Sequence, residues 1–195
     1  MSKVAIIGNA SGTGVFTVAS PNSNVDRVLT LPDESGTVDT LQRSGNVLQV
    51  VNFQTGAAAT GTTLTPLDDT IPQITEGNQY MTLAITPTNA NNILLIEVNG
   101  KFDSDTADRW LTLALHVGTT ADALAATNGK IVNASNGHVI SLAHRLVAGV
   151  TTELTFRIRV GANVASTLTF NGISGTGRLY GGISNSSFTI TEMTP

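Results

Sequence analysis

From Glu153 to Val160 apolar and polar side chains alternate without a break. Leu154, Phe156, Ile158 and Val160 share one parity, and Glu153, Thr155, Arg157 and Arg159 the other. Successive side chains of a strand point to opposite faces, so this period of two predicts a half-buried β-strand. Shorter versions recur along the chain. Met81, Leu83 and Ile85 share a parity within 80–86, closed by Pro87. Leu111, Leu113, Leu115 and Val117 do so within 110–117, opposite Trp110, Thr112, Ala114 and His116. The run 93–98 is strongly apolar and predicts a strand covered on both faces. Further runs at 47–53, 138–147, 166–170, 178–180 and 188–193 are bounded by Gly or Asn turns. Strands at these spacings predict an all-β, antiparallel sandwich over residues 45–195, with a jelly roll as the preferred version. One exception is expected. Residues 120–126 predict a short helix, with Thr120 as N-cap and Gly129 just past its end.

Composition agrees. Only 12% of the 195 residues are charged, a profile that argues against a coiled coil and suits strands joined by polar turns. A net charge of −4 speaks against a phosphate-backbone binder, so no nucleic-acid partner is expected. Cysteine is absent, which removes disulfides and thiolate–metal staples. The apolar stretch before Gly8 is too short for a signal-peptide core or a membrane span, and no membrane partner is expected.

The first 44 residues read differently, as an arm and linker. Two β-prone runs, 15–19 and 27–31, flank the turn formers Pro21-Asn-Ser-Asn24, and Pro32 ends the second run because it cannot donate to a ladder. This predicts an N-terminal β-hairpin arm. Two strands alone are marginal in water, so the apolar Val15, Phe16, Val18, Val28, Leu29 and Leu31 need a surface to cover them.

The arm also carries a resemblance. Gly12, Gly14, Phe16, Thr17 and Pro21, then Arg27, Leu29, Thr30, Leu31, Pro32, Asp33, Gly36 and Thr37, are similar to a short module of bacteriophage tail-fibre and head-surface proteins. Gly45-Asn-Val-Leu-Gln-Val-Val51 resembles the strand that opens the C-terminal β-domain of many such fibres. The resemblance implies a virion protein assembled in the host cytoplasm. It further implies a homotrimer, with the major capsid protein or another virion protein as partner.

Motifs for chemistry are weak. Gly8, Gly12 and Gly14 follow a strand-like start, but their spacing is not that of a dinucleotide-binding turn, and β-prone residues follow where a helix is required. Asp103, Asp105 and Asp108 crowd one turn, yet a calcium loop wants about six to eight oxygens, a sixth-position Gly and a later Glu. A solvated acidic turn is the expectation there. His116, His138 and His144 show no zinc-ligand spacing; His138 and His144 share strand parity with Ile140 and Leu142, as core histidines would. No G-x-S-x-G elbow is present. The chain shows none of the repeats of the parallel β-helices that make up many tail depolymerases. No catalytic residue, cofactor or metal site is therefore expected.

These readings converge on a non-enzymatic structural protein of a phage particle, a capsid decoration or cement protein that docks by its arm and stabilises the head. The chain shows no long shaft of coiled-coil or β-repeat sequence, which favours the head over the alternative, a short tail fibre or fibre tip. A carbohydrate-binding, lectin-like module that takes a host surface glycan is a further alternative, because jelly rolls host both. Trp110 and Tyr180 are its candidate ligand or interface residues.

Overall fold

The computed structural model describes residues 11–15, 17, 19, 22–26, 28 and 44–195. The chain divides into two compact units, Met1–Val38 and Asp39–Pro195. In the second unit the strands are β1 (Val47–Thr55), β2 (Ala59–Gly61), β3 (Asn78–Ile85), β4 (Ile93–Ser104), β5 (Arg109–Val117) and β6 (Ala125–Ile131). They continue with β7 (His138–Val147), β8 (Leu154–Ala162), β9 (Leu168–Phe170), β10 (Gly172–Ile173), β11 (Gly177–Arg178) and β12 (Ser186–Met193).

Pairing follows a nested scheme. β1 pairs with β12, β3 with β8, β4 with β7 and β5 with β6, all antiparallel. The chain is thus one long hairpin with its tip at β5–β6, and it is rolled up by two further pairings, β12 with β4 and β5 with β8. Two sheets result. The first runs β1-β12-β4-β7, with β9 and β2 continuing beside the far end of β4, and the second runs β3-β8-β5-β6. Eight principal strands in this order make a jelly roll, as the sequence predicts.

The core lies between the sheets. Leu94, Ile96, Val98 and Phe102 of β4 and Phe188 and Ile190 of β12 are buried together with Leu111, Leu113 and Leu115 of β5 and Phe156, Ile158 and Val160 of β8. Tyr80, Phe102 and Phe170 form a ring cluster with centroids 5.0–5.1 Å apart.

Three expectations are corrected. Residues 120–126 form no helix: Gly118 takes φ 58°, and the Thr120 hydroxyl donates back to the Val117 carbonyl at 2.7 Å instead of capping a helix N-terminus. Residues from Ala125 on pair with β5, so tertiary pairing overrides the helix propensity of an Ala-rich run. The described helical segment is a 3-10 turn at Tyr180–Gly182. The second correction is that β4 is not covered on both faces, since Glu97 and Asn99 are exposed on the side away from the core. The strand that is covered on both faces is β5, where Thr112, Ala114 and His116 are buried along with the leucines. The third concerns Asp103. It does not sit in a solvated turn but is buried in β4, where its Oδ2 accepts the Ser174 N–H at 2.7 Å.

Of the expected hairpin arm, Phe16, Val18, Leu29 and Leu31 lie outside the described residues. Val15 and Val28 are each 91% exposed.

Candidate functional site

Tyr180 stands at the corner where β11 gives way to β12. Its φ is +47°, and Gly181 and Gly182 follow at +65° and +96°. Glycine takes these angles freely, but a tyrosine there is strained by roughly 1–3 kcal/mol and persists only where its surroundings fix it. They do so here. Gly182 N donates to Leu179 O at 2.8 Å and Ile183 N to Tyr180 O at 3.3 Å. Gly56, in the connection after β1, approaches so closely that a Cβ there would collide with the Gly182 carbonyl. On the far side Gln54 Nε2 donates to Asn185 Oδ1 at 3.0 Å. These contacts hold the turn, and Tyr180 at its tip is 74% exposed.

Lys101, from the outward face of β4, sends its ammonium to the Ser184 hydroxyl at 2.9 Å and stands 5.9 Å from the Tyr180 ring centroid. Arg178 of β11 is exposed and lies against the turn, where a Cβ at Gly182 would be 3.2 Å from its Nη1. Beneath, Asn171 (φ 51°) donates to the Thr55 and Ala57 carbonyls at 2.8 and 3.2 Å and accepts from Ser186 Oγ at 2.6 Å. Ser186 Oγ in turn takes the Lys101 N–H at 2.9 Å. This buried network bridges the gap beside β4 between the end of β9 and the start of β12, and so fixes the base of the corner.

Trp110 is placed elsewhere. It is half-buried on the outer face of the second sheet, opposite Lys130, whose ammonium lies 5.9 Å from the ring centroid. That lysine is ion-paired with Asp108 at 3.0 Å, and the Trp110 backbone N–H donates to Asn163 Oδ1. The structure does not bring the two aromatic candidates together. Trp110 is half-buried beside an ion-paired lysine, whereas Tyr180 is displayed.

The three clustered carboxylates also separate. Asp108 serves Lys130, Asp105 accepts the Thr167 N–H at 3.0 Å, and Asp103 faces Ser174. Among the described residues no group of three His, Cys, Asp or Glu could hold a metal ion. Two other ionisable groups, which the sequence reading did not single out as sites, are buried. Glu192 shares core parity with Phe188 and Ile190; its carboxylate takes Thr88 N, Thr88 Oγ1, Asn92 Nδ2 and Gln49 Nε2 at 2.5–2.8 Å. Burial pushes this carboxyl up, but the bonds from Asn92, Gln49 and Thr88 together outweigh it and hold its pKa below the ordinary range. His116, wholly buried, has its pKa lowered first by burial and then by the Arg159 charge, with Glu76 and the Asp122 backbone opposing. The described clefts are shallow. One of about 410 Å³ is lined by Leu48, Thr88, Asn91, Asn92 and Thr194 among others, and one of about 370 Å³ runs between residues 68–72 and 123–126.

No protein-family model matches the chain, and no curated protein matches it. Solved structures share its strand pattern only distantly. An infectious bursal disease virus structure (Gx strain) aligns with 86% of this chain at 12% identity and TM-score 0.36. This chain spans 42% of the length of that viral protein. A Bacillus endospore appendage protein, from a family described as disulfide-linked pili, aligns over 80% of this chain and 98% of its own at 15% identity and TM-score 0.29. The enzymatically active domain of tailspike protein 4 of bacteriophage CBA120 aligns over 66% of this chain and 19% of its own at 13% identity and TM-score 0.28.

Proposed function

We propose that this chain is a non-enzymatic structural protein of a bacteriophage particle, a decoration or cement protein of the head. Its arm, residues 1–44, docks on the major capsid protein, and its jelly roll projects as a knob. Copies assemble as homotrimers on the virion. The observation that carries this reading is the state of the arm: its apolar residues Val15 and Val28 are 91% exposed in the single chain. Covering a side chain of that size is worth roughly 1.5–3 kcal/mol, so a short apolar arm repeated over a lattice holds firmly through multivalency.

Labelling the protein on intact particles and imaging them by electron microscopy tests this. Density at regular positions over the shell is the expected result. Density confined to the portal vertex would replace the head reading with the tail-fibre one, and absence from particles would overturn both.

A further inference from the structure

We infer that the Tyr180 corner is a binding site for an acidic saccharide, a sugar chain whose residues carry carboxylates. Three observations meet there. A residue at φ +47°, in a turn that Gly56 crowds at Gly182, presents an aromatic side chain, and the residue is 74% exposed. Strain maintained by its surroundings at an exposed side chain marks a position kept for something other than stability. An aromatic face with a polar tip suits the apolar C–H face of a pyranose, which it covers without a deep pocket.

The second observation is charge. Lys101 and Arg178 flank the turn, and neither has an ion-pair partner among the described residues. Lys101 commits one donor to Ser184, and the Arg178 guanidinium makes no hydrogen bond to a described residue, so its planar fork is free for a carboxylate. The nearby acid does not reach the surface: Asp103, on the same face of β4 as Lys101, is fully buried, takes the Ser174 N–H on Oδ2 and leaves Oδ1 without a partner among the described residues. The corner therefore presents two cations and no exposed carboxylate from β4 beside them, on a chain whose net charge is −4.

The third is apolar. Ile183, 81% exposed, lies one turn from Tyr180 and offers contact to a small methyl substituent such as an acetyl group. Aromatic shelf, paired cations and hydroxyl together fit a carboxylated sugar better than a neutral one, which would leave both cations without a counter-charge. Trp110 does not compete, because Asp108 already neutralises its lysine.

The test uses the full chain and a panel of oligosaccharides built from glucuronic, galacturonic, mannuronic or sialic acid, each with its carboxyl methyl ester as control. Saturable binding by calorimetry to at least one acid, weakened about tenfold or more by esterification and by raising the salt, is expected. Tyr180→Asn keeps a residue at home at positive φ and removes the ring; it should weaken binding about tenfold with an unchanged or higher melting temperature. Arg178→Gln should do likewise without altering the melt. Binding to none of the panel would overturn the site, as would equal binding of acid and ester. Tyr180→Asn protein that binds like the parent, or an Asp/Glu-rich peptide that binds as tightly as the best sugar, would overturn it too.

Discussion

The two outer faces of the sandwich are built to opposite plans. On the second sheet a loop, residues 62–77, lies over β8 and β5. Thr65 N donates to Ala162 O at 3.0 Å, and Gly161 lets the loop pass so close that a Cβ would meet Thr65 and the Thr63 carbonyl. Arg159 reaches up to the Glu76 and Gly77 carbonyls at 2.9 and 2.7 Å, and Arg157 donates to Gly118 O. The first sheet bears no such cover among the described residues. Its outer face is a field of short polar groups in register: Asn52 beside Thr189 beside Glu97 beside Ala143, and Gln54, Ser187, Asn99 and Ser141 in the next row. Asn52 Nδ2 donates to Thr189 Oγ1 at 2.8 Å and Ser141 Oγ to Asn99 Oδ1 at 2.7 Å. One face therefore carries a loop pinned across it, and the other is left exposed among the described residues. Stability should be sensitive to changes on the first plan and indifferent to changes on the second.

The largest effect belongs to the core that both faces share. Phe156→Ala should lower unfolding free energy by about 3–5 kcal/mol in denaturant titrations, because it empties a fully buried site. A loss under 1 kcal/mol would mean that β8 does not face the core.

Next comes the cover itself. Gly161→Ala should cost about 1–3 kcal/mol, since the added methyl must displace Thr65 and the Thr63 carbonyl. Ala143→Leu, the corresponding enlargement on the exposed face, should change the melt by no more than about 0.5 kcal/mol. Equal costs would erase the distinction between the faces.

Acid titration sharpens it further. His116 under the cover has its pKa lowered from 6.5, so the unfolded chain binds a proton there first; its contribution is complete above pH 6.5 and declines as pH falls below it. Glu192, held below its ordinary 4.5, contributes fully above pH 4.5 and is lost as pH drops through its folded value. Stability should therefore fall in two windows. His116→Gln should flatten the upper one and Glu192→Gln the lower, and a single window in the parent would contradict this. The smallest effect is Thr189→Ala on the exposed face, expected within about 0.5 kcal/mol of the parent by thermal melting.

Much of the fold could be read from residue order. The alternation in β8 and in β3 located strands and inward faces because one-sided burial writes a period of two. Where burial is two-sided the code fails. His116 and Thr112 look outward by parity, yet both are buried, and His116 lies by Glu76 and the Asp122 backbone, segments that no local pattern joins to β5. The 120–126 run failed for a related reason: its composition is helical, but Asp122 bridges to Gln73, and Ala125 and Ala126 pair with β5. Of the candidate site, Tyr180 was visible as one of few aromatics, but its φ and its cations come from Gly56, Lys101 and Arg178, which no local pattern joins. Arg159, which read as solvated, turns out to anchor the cover, and Arg157 donates to the Gly118 carbonyl in the turn after β5.

The attachment role of the arm is tested most directly on whole particles. Phe16→Ser with Leu29→Ser in the full chain, leaving Pro21–Asn24 intact, should give protein with the parent's melting temperature for the sandwich. Occupancy on particles, counted by quantitative gel or electron microscopy, should fall by at least about tenfold, as expected when the weak contacts of many copies are lost together. Particles that carry the variant at the parent's occupancy would place attachment in the sandwich and contradict the arm-docking account.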